Sequence, residues 1–180
     1  MRIVDNIILI GMPASGKSTV GKLLAEALAM DFVDVDKVIE TREGGQLQAV
    51  LDRLGLEDFL DAERDAICSL DCRNTVVAPG GSCVYRQQAV EHMRALGTVV
   101  YLQLSLEEIV ARLNNLATRG VALAPGQTLA DLYAFRTPLY ETCAHITVSA
   151  DGRSPEETVE IVKQALAARE RPISTEGQDV

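Results

Sequence analysis

One octapeptide limits what this chain can fold into. Gly11-Met12-Pro13-Ala14-Ser15-Gly16-Lys17-Ser18 fills every fixed position of the phosphate-binding pattern G-x-x-x-x-G-K-[ST]. The pattern works only between a strand and a helix. Its glycines let backbone N–H groups curl around phosphate oxygens, and the helix that follows turns its positive end toward them. The flanks comply: Ile7-Ile8-Leu9-Ile10 reads as a short buried strand, and Val20, Leu23, Leu24, Ala27 and Leu28 recur at helical spacing. In this setting Lys17 reaches the transferring phosphates and the Ser18 hydroxyl holds Mg²⁺. The expected ligand is a nucleoside triphosphate.

The rest of the chain repeats the strand–helix alternation. Apolar, β-branched runs at 7–10, 32–35, 75–78, 98–104 and 145–149 are separated by helical patterns. This predicts an α/β fold with a parallel sheet of five strands and helices on both faces. In such sheets ligands gather beyond the carboxyl ends of the strands. Residues 50–70 carry Leu51, Leu54, Phe59 and Ile67 among many charges and read as helical. Ser105 with Glu108, and Ser154-Pro155-Glu156-Glu157, read as helix starts closed by capping boxes. Residues 114–127, with glycine, proline and small side chains, read as a mobile lid. A single domain is expected over 1–170, followed by a disordered tail at 171–180.

Bulk properties narrow the partners. A chain of 180 residues suits one domain with a full core. Its net charge of −9 argues against nucleic acid, whose backbone needs a basic surface. No apolar run approaches the length of a membrane span. The first strand starts too early to leave room for a signal peptide, so the expected setting is the cytoplasm. Cys68, Cys72, Cys83 and Cys143 lack metal-site spacing and are expected to be buried, reduced thiols. His92, in a helical stretch, and His145, at a strand, are expected to be structural. The chain is expected to be a monomer.

A second constellation follows the phosphate loop by about twenty residues. In Val33-Asp34-Val35-Asp36 two carboxylates at i and i+2 point to the same side of a strand, where one serves Mg²⁺ and the other an attacking hydroxyl. Here the sequence resembles the shikimate kinase family over most of the first 155 residues. The resemblance is carried by the loop through Thr19-Val20-Gly21, by Leu24-Ala25, and by Phe32-Val33-Asp34-Val35-Asp36 with Ile39-Glu40. Pro79-Gly80-Gly81, Arg119 and Arg136-Thr137-Pro138-Leu139-Tyr140 extend it.

It implies a P-loop kinase fold that transfers phosphoryl from ATP, with Mg²⁺, to the hydroxyl of a small carboxylate-bearing metabolite such as shikimate. Gly11, Ala14, Ser15, Gly16, Lys17, Ser18 and Thr19 are then nucleotide contacts. Arg112 and Arg153 flank the adenine, and Ser18 and Asp34 hold the metal. Asp36 binds the acceptor hydroxyls and assists deprotonation, with Gly80 and Gly81 beside it. Arg136 pairs with the acceptor carboxylate, for which a planar fork is suited. Arg119 closes over the transferring phosphoryl; Lys17, Asp36 and Arg119 are the expected catalytic set.

The sequence also departs from the family. In Gly55-Leu56-Glu57-Asp58-Phe59-Leu60, Leu60 stands where the family places a second arginine on the acceptor carboxylate. Arg53 and Arg64 are the neighbours available to replace it. Pro79 stands for one glycine of a triplet, and Gly120-Val121-Ala122 follows the lid arginine where the family has proline and two leucines. A hydroxy amino acid such as homoserine is therefore the alternative acceptor, and a nucleotide-binding protein without catalysis the alternative class. The guanine-reading N-K-x-D of regulatory GTPases is missing, and Asp52-Arg53-Leu54-Gly55 lies in a helical pattern.

Overall fold

The computed structural model describes residues 6–115 and 126–170. Within them β1 (Asn6–Ile10), β2 (Asp31–Asp34), β3 (Thr75–Ala78), β4 (Thr98–Gln103) and β5 (Ile146–Ser149) form one sheet. The order is β2-β3-β1-β4-β5, and every pairing is parallel. Eight helices are described: α1 (Lys17–Leu28), α2 (Val35–Glu43), α3 (Leu47–Leu54), α4 (Leu56–Cys68), α5 (Gln87–Leu96), α6 (Leu106–Asn115), α7 (Leu129–Cys143) and α8 (Pro155–Glu170).

Continuous apolar runs become parallel strands because both faces of the sheet are covered. Ile7 and Leu9 of β1 face Val20 and Leu24 of α1 and Val159, Val162 and Leu166 of α8. Ile8 and Ile10 point the other way, into a larger cluster with Ile39, Phe59, Ile67, Met93, Ile109 and Tyr140. β1 is buried at every residue. Its lower end is tied by one side chain: the Asn6 amide donates to the Cys72 and Leu96 carbonyls at 2.8 and 2.9 Å and accepts from the Thr75 amide at 3.0 Å. Its upper end releases the chain into the phosphate loop.

Several expectations change in detail. The helical stretch at 50–70 is two helices, α3 and α4, parted at Gly55, whose φ of 78° and ψ of 171° no helix contains. Ser154 and Glu157 close a full capping box. Ser105 does not, because Asp151 takes its amide and hydroxyl while Glu108 turns to Arg112. All four cysteines are free, but only Cys83 and Cys143 are buried; Cys68 is exposed at the end of α4, beyond its apolar stripe. His92 meets the Leu70 carbonyl and ties α5 to the segment after α4, while His145 Nδ1 accepts from the Val99 amide and ties the entry to β5 to β4, so both are structural. Residues 116–125 of the expected lid, and the expected tail at 171–180, lie outside the described residues.

Replacing Asn6 with alanine strands two half-buried carbonyls and one buried amide. It is expected to cost about 3 kcal/mol of unfolding free energy in urea titrations. A loss below about 1 kcal/mol would show that water replaces the clamp.

Candidate active site

The phosphate loop leaves β1 and winds directly into α1. Gly16 caps the helix with φ 88°, a left-handed conformation that a side chain would strain. Ala14 also adopts positive φ, 64°, so the loop holds strain at its turn. Ser15 is buried and Thr19 exposed. Lys17 is buried, its ammonium donating to the Gly11 and Met12 carbonyls at 2.9 Å each and to Ser15 Oγ at 3.4 Å. Burial lowers its pKa, and the nearby Cys83 and Asp36 partly oppose that.

Asp34 and Asp36 come together by a different route from strand alternation. β2 ends at Asp34, whose side chain caps α2 by accepting from the Asp36 amide at 3.0 Å. Asp36 therefore belongs to the first turn of a helix, not to the strand. The strand stops because the Asp34 cap offers the next amides a partner that only a helix presents. Asp34 also accepts from Ser18 Oγ at 3.1 Å, which joins the start of α1 to the end of β2. Burial first, and Asp34 beside it, push the Asp36 carboxyl up to about 6, with Lys17 opposing.

The wall opposite holds a residue absent from the sequence reading. Glu63 lies in α4, is only 2 % exposed, and accepts from Ser82 Oγ at 2.6 Å. A Cβ on Gly80 would stand 2.5 Å from Glu63 Oε1 and 3.3 Å from Asp36 Oδ1, so both carboxyls converge on this glycine. A Cβ on Gly81 would stand 2.8 Å from Arg136 Nη1, which brings the arginine of α7 to the same loop. Burial pushes Glu63 up to about 7; the Ser82 bond opposes, and the proximity of Asp36 adds to the rise.

Arg136 is 2 % exposed and forms no ion pair among the described residues. Its Nε donates to the Tyr85 hydroxyl at 2.8 Å. Tyr140, stacked on Tyr101 with centroids 5.1 Å apart, faces the guanidinium and donates to the Gly81 carbonyl at 2.6 Å. The site thus gathers the Lys17 ammonium, two carboxyls and a buried guanidinium around the phosphate loop and the loop of Gly80 and Gly81.

Other expected residues stand further out. Arg112 pairs with Glu108 at 2.9 Å and reaches the Ala14 carbonyl at 3.4 Å, so it leans on the phosphate loop. Arg153 is exposed and donates to the Ser149 carbonyl. Arg119 lies outside the described residues. Leu60 is buried on the same face of α4 as Glu63. Arg53 is held by Glu43 at 3.0 Å, and Arg64 by Asp61 and Asp65 at 2.9 Å, so acids on the surface engage both candidate replacements.

Comparison with known proteins identifies this arrangement. The profile of the shikimate kinase family matches residues 13–167. The chain belongs to the shikimate kinase family. A shikimate kinase of Paracidovorax citrulli is 41% identical over 151 residues, covering 81% of this chain and 82% of the relative. One from Pseudomonas syringae pv. tomato is 36% identical over 165 residues, covering 90% and 96%. Among solved structures, the shikimate kinase of Acinetobacter baumannii in complex with shikimate superposes with a TM-score of 0.82 at 28% identity. That match covers 94% of this chain and 96% of the other. As a member of the shikimate kinase family the chain is an ATP-dependent kinase that phosphorylates a hydroxyl.

In this shikimate kinase family member, Glu63 did leave a trace in the sequence. The buried stripe of α4 is Phe59, Leu60, Glu63, Ala66 and Ile67, and Glu63 is its one charged residue. Its linkage to stability has a definite sign. An acid near 4.5 when unfolded and about 7 when folded imposes no penalty below pH 4.5. The penalty grows between those values and is complete above pH 7, at roughly 3 kcal/mol. Glu63→Gln should therefore raise the melting temperature relative to the parent at pH 8 and change it little at pH 5. Parallel pH profiles for the two proteins would mean that Glu63 is not the titrating group.

Proposed function

We propose that this chain transfers the γ-phosphoryl group of ATP to a hydroxyl of shikimate. The observation that carries this reading is the convergence of unlike charges on the loop of Gly80 and Gly81 beside the phosphate loop. Asp36 and Glu63 meet at Gly80, the buried guanidinium of Arg136, without an ion-pair partner among the described residues, lies against Gly81, and Lys17 of the phosphate loop is near enough to feel all three charges. An acceptor with a carboxylate at one end and hydroxyls at the other spans these groups.

Each residue then has a task. Loop amides and Lys17 hold the phosphates of ATP, and Lys17 neutralises charge as it moves onto the leaving oxygen. Asp36, poised near pH 6, orients the acceptor hydroxyl and takes its proton as the new O–P bond forms. Gly80 and Gly81 let the acceptor approach the backbone, and Arg136 fixes its carboxylate. Ser18 Oγ and the Asp34 carboxylate are hard oxygen donors that suit Mg²⁺. When bound there, the ion supplies neutralising charge to the phosphates. Arg119, Arg112 and Arg153 take the lid and adenine roles. A cytoplasmic setting belongs to the same reading, supported by the exposed free thiol of Cys68.

Two assays on the purified chain test this reading. ATP consumption is expected with shikimate and not with homoserine; turnover of homoserine alone would reverse the assignment of the acceptor. Lys17→Ala should abolish turnover. Leu60→Arg should lower KM for shikimate roughly tenfold by adding a charge-assisted hydrogen bond, with KM for ATP unchanged. An unchanged KM for shikimate would place position 60 off the acceptor.

A further inference from the structure

The carboxylate end of the cleft holds one cation, and that cation is not alone. Arg136 gives its Nε–H to the Tyr85 hydroxyl at 2.8 Å, and its central carbon lies 4.9 Å from the Tyr85 ring centroid. A phenol oxygen that accepts a hydrogen bond still has its own hydrogen to give. Among the described residues the Tyr85 hydroxyl has no acceptor for it; its recorded hydrogen bond is the one it receives. Phe135 packs against the ring edge-on with centroids 5.7 Å apart, and the Arg136 guanidinium covers its face. Tyr85 is half-buried at the mouth of the loop that carries Gly80 and Gly81.

With its Nε occupied, Arg136 presents only its two terminal nitrogens, and Gly81 lies against one of them. An anion docking there meets a guanidinium edge flanked by a phenol whose hydrogen is uncommitted. On the opposite wall the second position that would supply a cation is Leu60, and Arg53 and Arg64 are engaged elsewhere. Two donors are therefore at hand for two carboxylate oxygens, one charged and one neutral.

We propose that Tyr85 is a specificity-determining residue of the acceptor site, steadying Arg136 through Nε and donating its own O–H to the acceptor carboxylate. The proposal rests on the reading of the acceptor end given above. No bond to phosphorus or carbon changes through Tyr85; its contribution is to binding. A neutral donor also explains how the end of the cleft dispenses with a second buried cation, whose desolvation would have to be repaid.

The test is steady-state kinetics on the full chain, with ATP and shikimate, for the parent and Tyr85→Phe, which keeps the ring and its packing on Phe135. KM for shikimate is expected to rise roughly tenfold, while kcat and KM for ATP stay within about twofold. Inhibition by the carboxamide of shikimate, set against the KM for shikimate in each protein, adds a readout that packing does not move. The parent should favour the carboxylate, and Tyr85→Phe should narrow that preference. Leu60→Arg combined with Tyr85→Phe should recover the lost affinity. An unchanged KM in Tyr85→Phe, or a fall in melting temperature with the carboxylate preference intact, overturns the proposal. If the parent does not phosphorylate shikimate, the reading of the acceptor fails first. The same comparison is then run with whichever hydroxy acid it does phosphorylate, and an acceptor without a carboxylate overturns the role of Tyr85.

Discussion

Two cations, the Lys17 ammonium and the Arg136 guanidinium, are held out of water at the carboxyl end of the sheet, and the site is arranged around what that burial demands. A buried charge survives only if nearby oxygens receive its hydrogens. Lys17 is met by carbonyls of its own loop, and Arg136 by the phenol of Tyr85, 51 residues away. Two carboxyls, Asp36 and Glu63, stand near enough to Lys17 to interact with it through space, and Glu63 with Arg136 as well. The same burial that strains these four groups removes the water that would blunt their action on a phosphoryl group.

What was legible in the sequence follows the range of each interaction. The phosphate loop could be read because its backbone conformation depends on residues within the octapeptide. The strand order could not, since nothing in one strand names its neighbour; only the parallel α/β character was visible in the apolar runs. The aspartate pair was expected on a strand, and its geometry is different. Val33-Asp34-Val35-Asp36 alternates like a strand, yet Asp34 caps a helix and takes Asp36 with it. The two arrangements differ by a side-chain–backbone hydrogen bond that no pattern of hydropathy records.

Glu63 and Tyr85 escaped the reading for another reason. Glu63 is an acid in a helix rich in acids, and only the phase of the apolar stripe sets it apart from Asp61 or Asp65. Tyr85 contributes through Arg136, 51 residues away, and its meaning exists only once α7 is packed against the loop after β3. Leu60 was visible as a departure, but its consequence was not. The acids that take Arg53 and Arg64 close the nearby routes for a replacement cation, and the phenol that occupies Nε opens a neutral one.

Asn6 gives the phosphate loop something that the loop cannot supply itself. A five-residue strand separates the clamped amide from the first glycine, and that strand is walled in on both faces. β1 behaves as a stiff gauge rod, pinned at its base to the turns before β3 and β4. The height at which Gly11 emerges is thereby set relative to the loop of Gly80 and Gly81, which springs from the adjacent strand pinned at the same base. Donor and acceptor ends of the cleft share one datum, so the gap a phosphoryl group must cross is measured from the far side of the molecule.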